Sequence, residues 1–157
     1  MSKPAFIVEG RYRLAAEQGK PDAQYNYGRM CELGDGAPHD YAEAANWYLR
    51  AALQGHTEAQ LALAVLYEAG NGVEHNDVEA FKWYRKAADQ GDADAQYHLG
   101  VMLAFGQGIK TDYQEALSWC HKAAEQNHIE AQHTLGMMYC NGEGIEQDYQ
   151  QAIYWYR

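Results

Sequence analysis

Trp47, Trp83, Trp119 and Trp155 are the four tryptophans of the chain, and each lies 36 residues after the one before. Such regular spacing marks a repeated structural unit, and fixed periods of this size belong to stacked arrays. The same period carries Ala23, Ala59, Ala95 and Ala131, and beside them Gln24, Gln60, Gln96 and Gln132. It carries the glycine pairs Gly34/Gly36, Gly70/Gly72, Gly106/Gly108 and Gly142/Gly144. Ala44, Ala80, Ala116 and Ala152 follow it too, and the position of Gly28 holds only small residues, Ala64, Gly100 and Gly136.

Each unit reads as two helices. In the first, Ala23, Tyr27, Cys31 and Gly34 fall at steps of four, four and three, which is one helical face. Asp22, Glu58, Asp94 and Glu130 stand in its first turn, where carboxylates suit the helix dipole. Pro21 suits a first-turn position, and the G-x-G segment ends the helix. The second helix opens at Asp40, Asn76, Asp112 and Asp148, each followed three residues later by Glu43, Glu79, Glu115 or Gln151. That is a capping-box pattern. It closes at Gly55, Gly91 and Asn127, residue types that accept the left-handed conformation after a helix. The small positions, including Ala51-Ala52, Ala87-Ala88 and Ala123-Ala124, allow close helix approach, with each Trp and its neighbour filling the space between units.

One such hairpin cannot bury its apolar face alone, whereas stacked neighbours can. The expected fold is therefore all-α: an α-solenoid of helix-turn-helix repeats, wound as a right-handed superhelix. Its four repeats are expected at 21–56, 57–92, 93–128 and 129–157 as a single solenoid domain, the last one truncated. Residues 1–20 are expected to form an N-terminal capping helix, a degenerate half repeat. Tyr12, Ala15, Ala16, Gln18 and Gly19 fall in register with Tyr48, Ala51, Ala52, Gln54 and Gly55, with Arg11 at the Trp position. The chain stops at Arg157 before the Ala-Ala pair of its last unit, so an exposed patch including Ile153 and Trp155 is expected there.

These residues resemble the Sel1-like repeat, a relative of the tetratricopeptide repeat. The resemblance rests on residues 23–55, AQYNYGRMCELGDGAPHDYAEAANWYLRAALQG, and their three echoes. It implies an adaptor or scaffold that assembles other proteins, in settings such as quality control, bacterial signalling and secretion, or host interaction. It brings no shared catalytic residue. Secreted, cysteine-rich relatives staple their helices with paired cysteines, but alanines such as Ala23 and Ala52 stand at those positions here.

Composition narrows the partners. The chain of 157 residues is 47% hydrophobic and 13% aromatic, which excludes disorder as its main state. Its apolar runs fall short of the ~18 residues that a membrane span needs. Twelve basic residues against 22 acidic ones give a net charge of −10, which repels phosphate backbones and anionic membranes. The N-terminus lacks an apolar signal segment, and the three cysteines contain no CxxC, so a reducing, cytoplasmic location is expected.

The packing positions of the first helix leave an opposite face whose residues vary between repeats. It holds Tyr25, Asn26, Arg29 and Leu33, then Leu61, Ala62, Val65 and Ala69. The later repeats supply Tyr97, His98, Val101 and Phe105, then His133, Thr134, Met137 and Asn141. In stacked hairpins the first helices line the concave surface, so this stripe is the expected binding face for a peptide or amphipathic helix. The alternative is that half of these residues only contact the next repeat.

Other chemistry has weaker support. Among His39, His56, His75, His98, His121, His128 and His133, only His56 and His128 share a register. A cross-helix metal cluster of His98, Cys120, His121 and His133 is conceivable, although hydrogen-bonded histidines explain them more simply. Cys120, at the Tyr position beside Trp119, reads as a small buried hydrophobe lacking a base and an orienting group. The carboxylate pairs Glu74/Asp77 and Glu143/Glu146 sit in turns and read as caps. The expected function is a non-catalytic protein–protein interaction scaffold, with no cofactor and no metal. A regulatory subunit of an enzyme complex is the alternative, as is self-assembly through the C-terminal end. The chain is expected to be a monomer or weak homo-oligomer.

Overall fold

A computed structural model describes residues 5–142 and 144–157. The described residues form the helices α1 (Ala5–Glu17), α2 (Pro21–Leu33), α3 (Tyr41–Leu53), α4 (Thr57–Ala69), α5 (Asp77–Asp89), α6 (Ala93–Phe105), α7 (Tyr113–Glu125), α8 (Ile129–Asn141) and α9 (Tyr149–Trp155). Among these residues there is no strand, and no helix is long and apolar enough to cross a membrane. The fold is all-α, a helix-turn-helix repeat of the solenoid type. The chain divides into two compact units, Met1–Trp83 and Tyr84–Arg157.

Local signals set the helix ends. Asn127 has φ 66°, the left-handed geometry that Gly55 and Gly91 adopt at φ 88° and 97°. Asn tolerates this because its short polar side chain can bond locally. At the start of the second helices, Asp40 Oδ1 accepts from the backbone N–H of Glu43 at 3.0 Å and Asp112 Oδ1 from that of Glu115 at 2.9 Å. Asn76 and Asp148 serve Glu79 and Gln151 in the same way.

The other half of the capping box is different. The Asp40, Asp112 and Asp148 N–H groups donate to the carbonyls of Cys31, Leu103 and Tyr139 on the preceding helix. With that donor already taken, the N3 glutamate turns one helical turn onward. Glu43 accepts from Trp47 Nε1 at 3.4 Å and Glu115 from Trp119 Nε1 at 3.2 Å. The carboxylate expected to cap its own helix instead fixes the repeat's largest side chain.

Within each hairpin the small residues set the approach distance. A Cβ at Gly28 would stand 2.8 Å from the Tyr48 ring and 3.3 Å from the Ala44 carbonyl oxygen. Trp47 meets Tyr27 edge-on, with centroids 5.3 Å apart. Tyr48 is fully buried and its hydroxyl donates to Glu32. In the third repeat both partners change together: Cys120 replaces the phenol and Ala104 the carboxylate. Neither polar group is then left buried alone.

Successive hairpins are joined by a recurrent bond. The buried amides of Gln24, Gln60 and Gln96 donate to the carbonyls of Ala16, Ala52 and Ala88, and Gln132 does so to Ala124. Ala16 is fully buried, so α1 meets α2 as a second helix meets the next first helix. The turns press back as well, since a Cβ on Gly72 would lie 2.2 Å from the Tyr41 carbonyl carbon. In the second unit, Cys120, Ala123, Ala124, Ala131 and Leu135 form a buried cluster against which Tyr97, Leu117 and Trp155 pack. Ile153 is exposed as expected, but Trp155 is half-buried by this cluster, its ring edge-on to His121 at 5.2 Å.

Candidate interaction surface

The 3.6-residue period of a helix sends the constant and variable residues of each first helix to opposite sides. In α2, Gln24, Tyr27 and Cys31 are buried, while Tyr25 is half-buried and Asn26 and Arg29 are exposed. In α4, Ala59, Gln60 and Leu63 are buried, Leu61 and Ala62 half-buried, and Val65 is exposed. In the second unit, Tyr97, His98 and Val101 of α6 are half-buried. On α8, His133 and Met137 are exposed and Thr134 is half-buried. Every variable position of the expected stripe therefore retains accessible surface.

The aromatic members are held in place. In the first unit, the Tyr25 ring packs on His56 at 4.7 Å and on Tyr48 at 5.7 Å, with the Arg29 guanidinium 5.9 Å above it. In the second, His98 stacks on Tyr84 at 4.8 Å with ring planes only 3° apart. Tyr97 packs on His128 at 4.8 Å, and His133 on Tyr156 at 5.6 Å. Rings held this way lose little side-chain freedom on binding, which favours affinity.

Two histidines do something their sequence register did not announce. His56 Nδ1 accepts from the Ala59 N–H at 3.3 Å, and His128 Nδ1 from the Ala131 N–H at 3.1 Å, so both cap first helices. An accepting Nδ1 puts the neutral ring's proton on Nε2. That atom faces Asp22 in one case, at 3.4 Å, and Asp94 in the other, at 3.1 Å. The signal available in the sequence was Asp92, an ordinary capping residue at the equivalent position, which caps Ala95 at 2.8 Å.

The conceivable metal cluster is not assembled. Cys120 lies in the core, His98 stacks on Tyr84, and His121 Nε2 meets the Tyr139 hydroxyl at 3.0 Å. Among the described residues no group of three or more His, Cys, Asp or Glu side chains could hold a metal ion. Burial pushes the Cys120 thiol up to about 12, so it holds no thiolate near neutrality. Burial also lowers the His121 pKa, against a smaller raising effect of Glu125. Of the carboxylate pairs, Glu74 is exposed and Asp77 faces His75 Nε2 at 3.5 Å. Glu146 is exposed, while Glu143 lies outside the described residues.

The model of the Sel1 repeat matches residues 21–56, 57–92, 93–128 and 129–157. The structure superposes on c5321, a protective antigen of uropathogenic Escherichia coli with an SLR fold, at TM-score 0.96 and 40% identity. The match covers 100% of this chain and 34% of that one, so this chain spans about a third of that protein's length. A Sel1 repeat protein from Oxalobacter formigenes gives TM-score 0.85 and 34% identity over 96% of this chain and 68% of its own. Cysteine rich protein B of Helicobacter pylori, at 20% identity and TM-score 0.59 over 79% of this chain and 94% of its own, shares the fold. Comparison with curated proteins gave no match.

Proposed function

Because the chain belongs to the Sel1-repeat family, we propose that it is a non-catalytic scaffold that holds a peptide or protein partner on the variable, concave face of its first helices. One observation carries this reading. Within the first helices most positions constant between repeats are buried, among them Gln24, Ala59, Gln60, Ala95, Gln96 and Ala131, while the variable ones beside them stay accessible in both units. Stacking explains the first set and leaves the second free to differ. In the first unit the face offers Tyr25, Asn26, Arg29, Leu61, Ala62 and Val65. In the second it offers Tyr97, His98, Val101, His133, Thr134 and Met137. Val65 and Met137 are 39% and 42% exposed, so covering what remains of such a side chain contributes roughly 0.5–1 kcal/mol, about two-fifths of the gain for full burial.

The test is capture from lysate of the source cell, comparing the wild-type chain with a Val65→Glu, Tyr97→Glu double variant of unchanged helicity. A protein retained by the first and lost by the second supports the reading. The same catch from both removes the partner from this face.

A further inference from the structure

The third repeat keeps the ring arrangement of the first and lacks the cation that completes it there. In the first, the Arg29 guanidinium lies 5.9 Å from the centre of the Tyr25 ring, which also packs on His56 and Tyr48. Two repeats later Tyr97 packs on His128 at 4.8 Å, as Tyr25 does on His56 at 4.7 Å. Val101 stands at the position of Arg29, however, and Cys120 at that of Tyr48. Among the described residues no cation lies over Tyr97, and its ring is only half-buried.

Negative charge surrounds this ring. Asp94, one turn before Tyr97, lies 3.1 Å from His128 Nε2, and Glu130 lies 3.4 Å from His128 Nδ1. In the neutral ring Nδ1 accepts the Ala131 N–H, so it offers Glu130 no hydrogen. The two carboxylates are 67% and 66% exposed. α6 and α8 contain no lysine or arginine. On the stripe that starts at Asp94, His98, Val101 and Phe105 follow at steps of four, three and four. Phe105 is exposed there, as is Met137 on α8.

We propose that this face of the second unit receives an arginine side chain of a peptide partner. Its guanidinium lies over Tyr97, Asp94 and Glu130 balance the charge, and an aliphatic residue beside it covers Phe105 or Met137. The proposal rests on the reading of the first-helix face given above and names the chemistry that face takes. The ring quadrupole attracts a cation, and the planar guanidinium stacks on an aromatic face where an ammonium does not. Arg29 over Tyr25 is the same contact made within the chain. An acidic anchor would be repelled by both carboxylates, and a neutral one would leave them unpaired.

The experiment uses N-terminally fluorescein-labelled, C-terminally amidated peptides Gly-Ser-Leu-Xaa-Leu-Leu-Ser-Gly, with arginine, citrulline or glutamate at Xaa. Anisotropy is read on the full chain, on Asp94→Asn, and on Val101→Arg, which installs the cation of the first repeat. N-acetylarginine amide is the competitor. The expected result is saturable binding of the arginine peptide and binding about tenfold or more weaker with citrulline, which keeps the shape and loses the charge. The difference should shrink in Asp94→Asn and vanish in Val101→Arg of unchanged helicity. Equal binding of arginine and citrulline peptides, or no binding of the arginine peptide up to about 1 mM, overturns the proposal. So does a difference that both variants retain. Competition by N-acetylarginine amide as strong as the peptide's own overturns the peptide assignment in favour of small cations. Partner loss in the Val65→Glu, Tyr97→Glu capture, together with no arginine preference here, would keep the face and remove the cation site. An arginine preference with an unchanged catch would keep the cation site and remove the captured protein as its partner.

Discussion

Gln60 Nε2 donates to the Ala52 carbonyl oxygen at 3.0 Å, eight residues back and across the junction between two repeats. The Ala52 oxygen also accepts the Gly55 N–H at 3.0 Å, so the glutamine reaches a carbonyl already used by the helix end. The bond ties the start of one hairpin to the end of the hairpin before it. Replacing Gln60 with Leu keeps much of the volume and removes the donor. The expected cost is about 1 kcal/mol, the net worth of a neutral hydrogen bond, seen as a lower urea midpoint. A change within error would make the amide a passive filler of the junction.

Gly28→Ala is expected to destabilise, although alanine is the better helix former by about 1 kcal/mol. The new methyl would stand 2.8 Å from the Tyr48 ring, which is fully buried and tied by its hydroxyl to Glu32. The ring, held by Glu32, would have to shift, and overpacking of this kind costs about 1–3 kcal/mol. Thermal unfolding decides the sign, and a higher melting temperature would show that the hairpin tolerates a wider approach.

Trp155 Nε1 is buried with no hydrogen-bond partner among the described residues. Gln151 occupies the place from which Glu43 and Glu115 accept the indole N–H of Trp47 and Trp119. Gln151→Glu should replace a neutral amide oxygen with a charged acceptor for the indole N–H and stabilise α9 by roughly 1 kcal/mol, because bonds to charged groups exceed neutral ones. Slower amide exchange in α9 is the readout. Unchanged exchange would place the glutamate in solvent.

Stability should fall on acidification in part through His121. Burial lowers its pKa below the ordinary 6.5, so the unfolded chain takes up a proton before the folded one does. The neutral ring's contribution is intact above about 6.5 and is lost as pH falls from there through the folded pKa. His121→Gln should therefore lose less of its urea midpoint than wild type between about pH 7.5 and 5. Equal losses in the two proteins would assign the acid sensitivity to other groups.

The sequence by itself determined the parts that are local. Helix starts at Asp40 and Asp112, the left-handed stop at Asn127 and the separation of buried from accessible faces depend on residues within one or two turns. Periodicity then repeated the same unit four times. It also showed which positions of the first helices vary, and so where a candidate face would be.

What tertiary structure decided were the choices of partner between distant groups. Glu43 could have bonded the Asp40 N–H or the Trp47 indole; the Cys31 carbonyl takes that N–H, and the carboxylate goes to the indole. His56 caps α4 while its ring meets Tyr25 and Asp22 on α2, more than thirty residues earlier in the chain. A polar group's partner is set by which donors and acceptors remain unmet once the helices pack, and only the packed chain shows that.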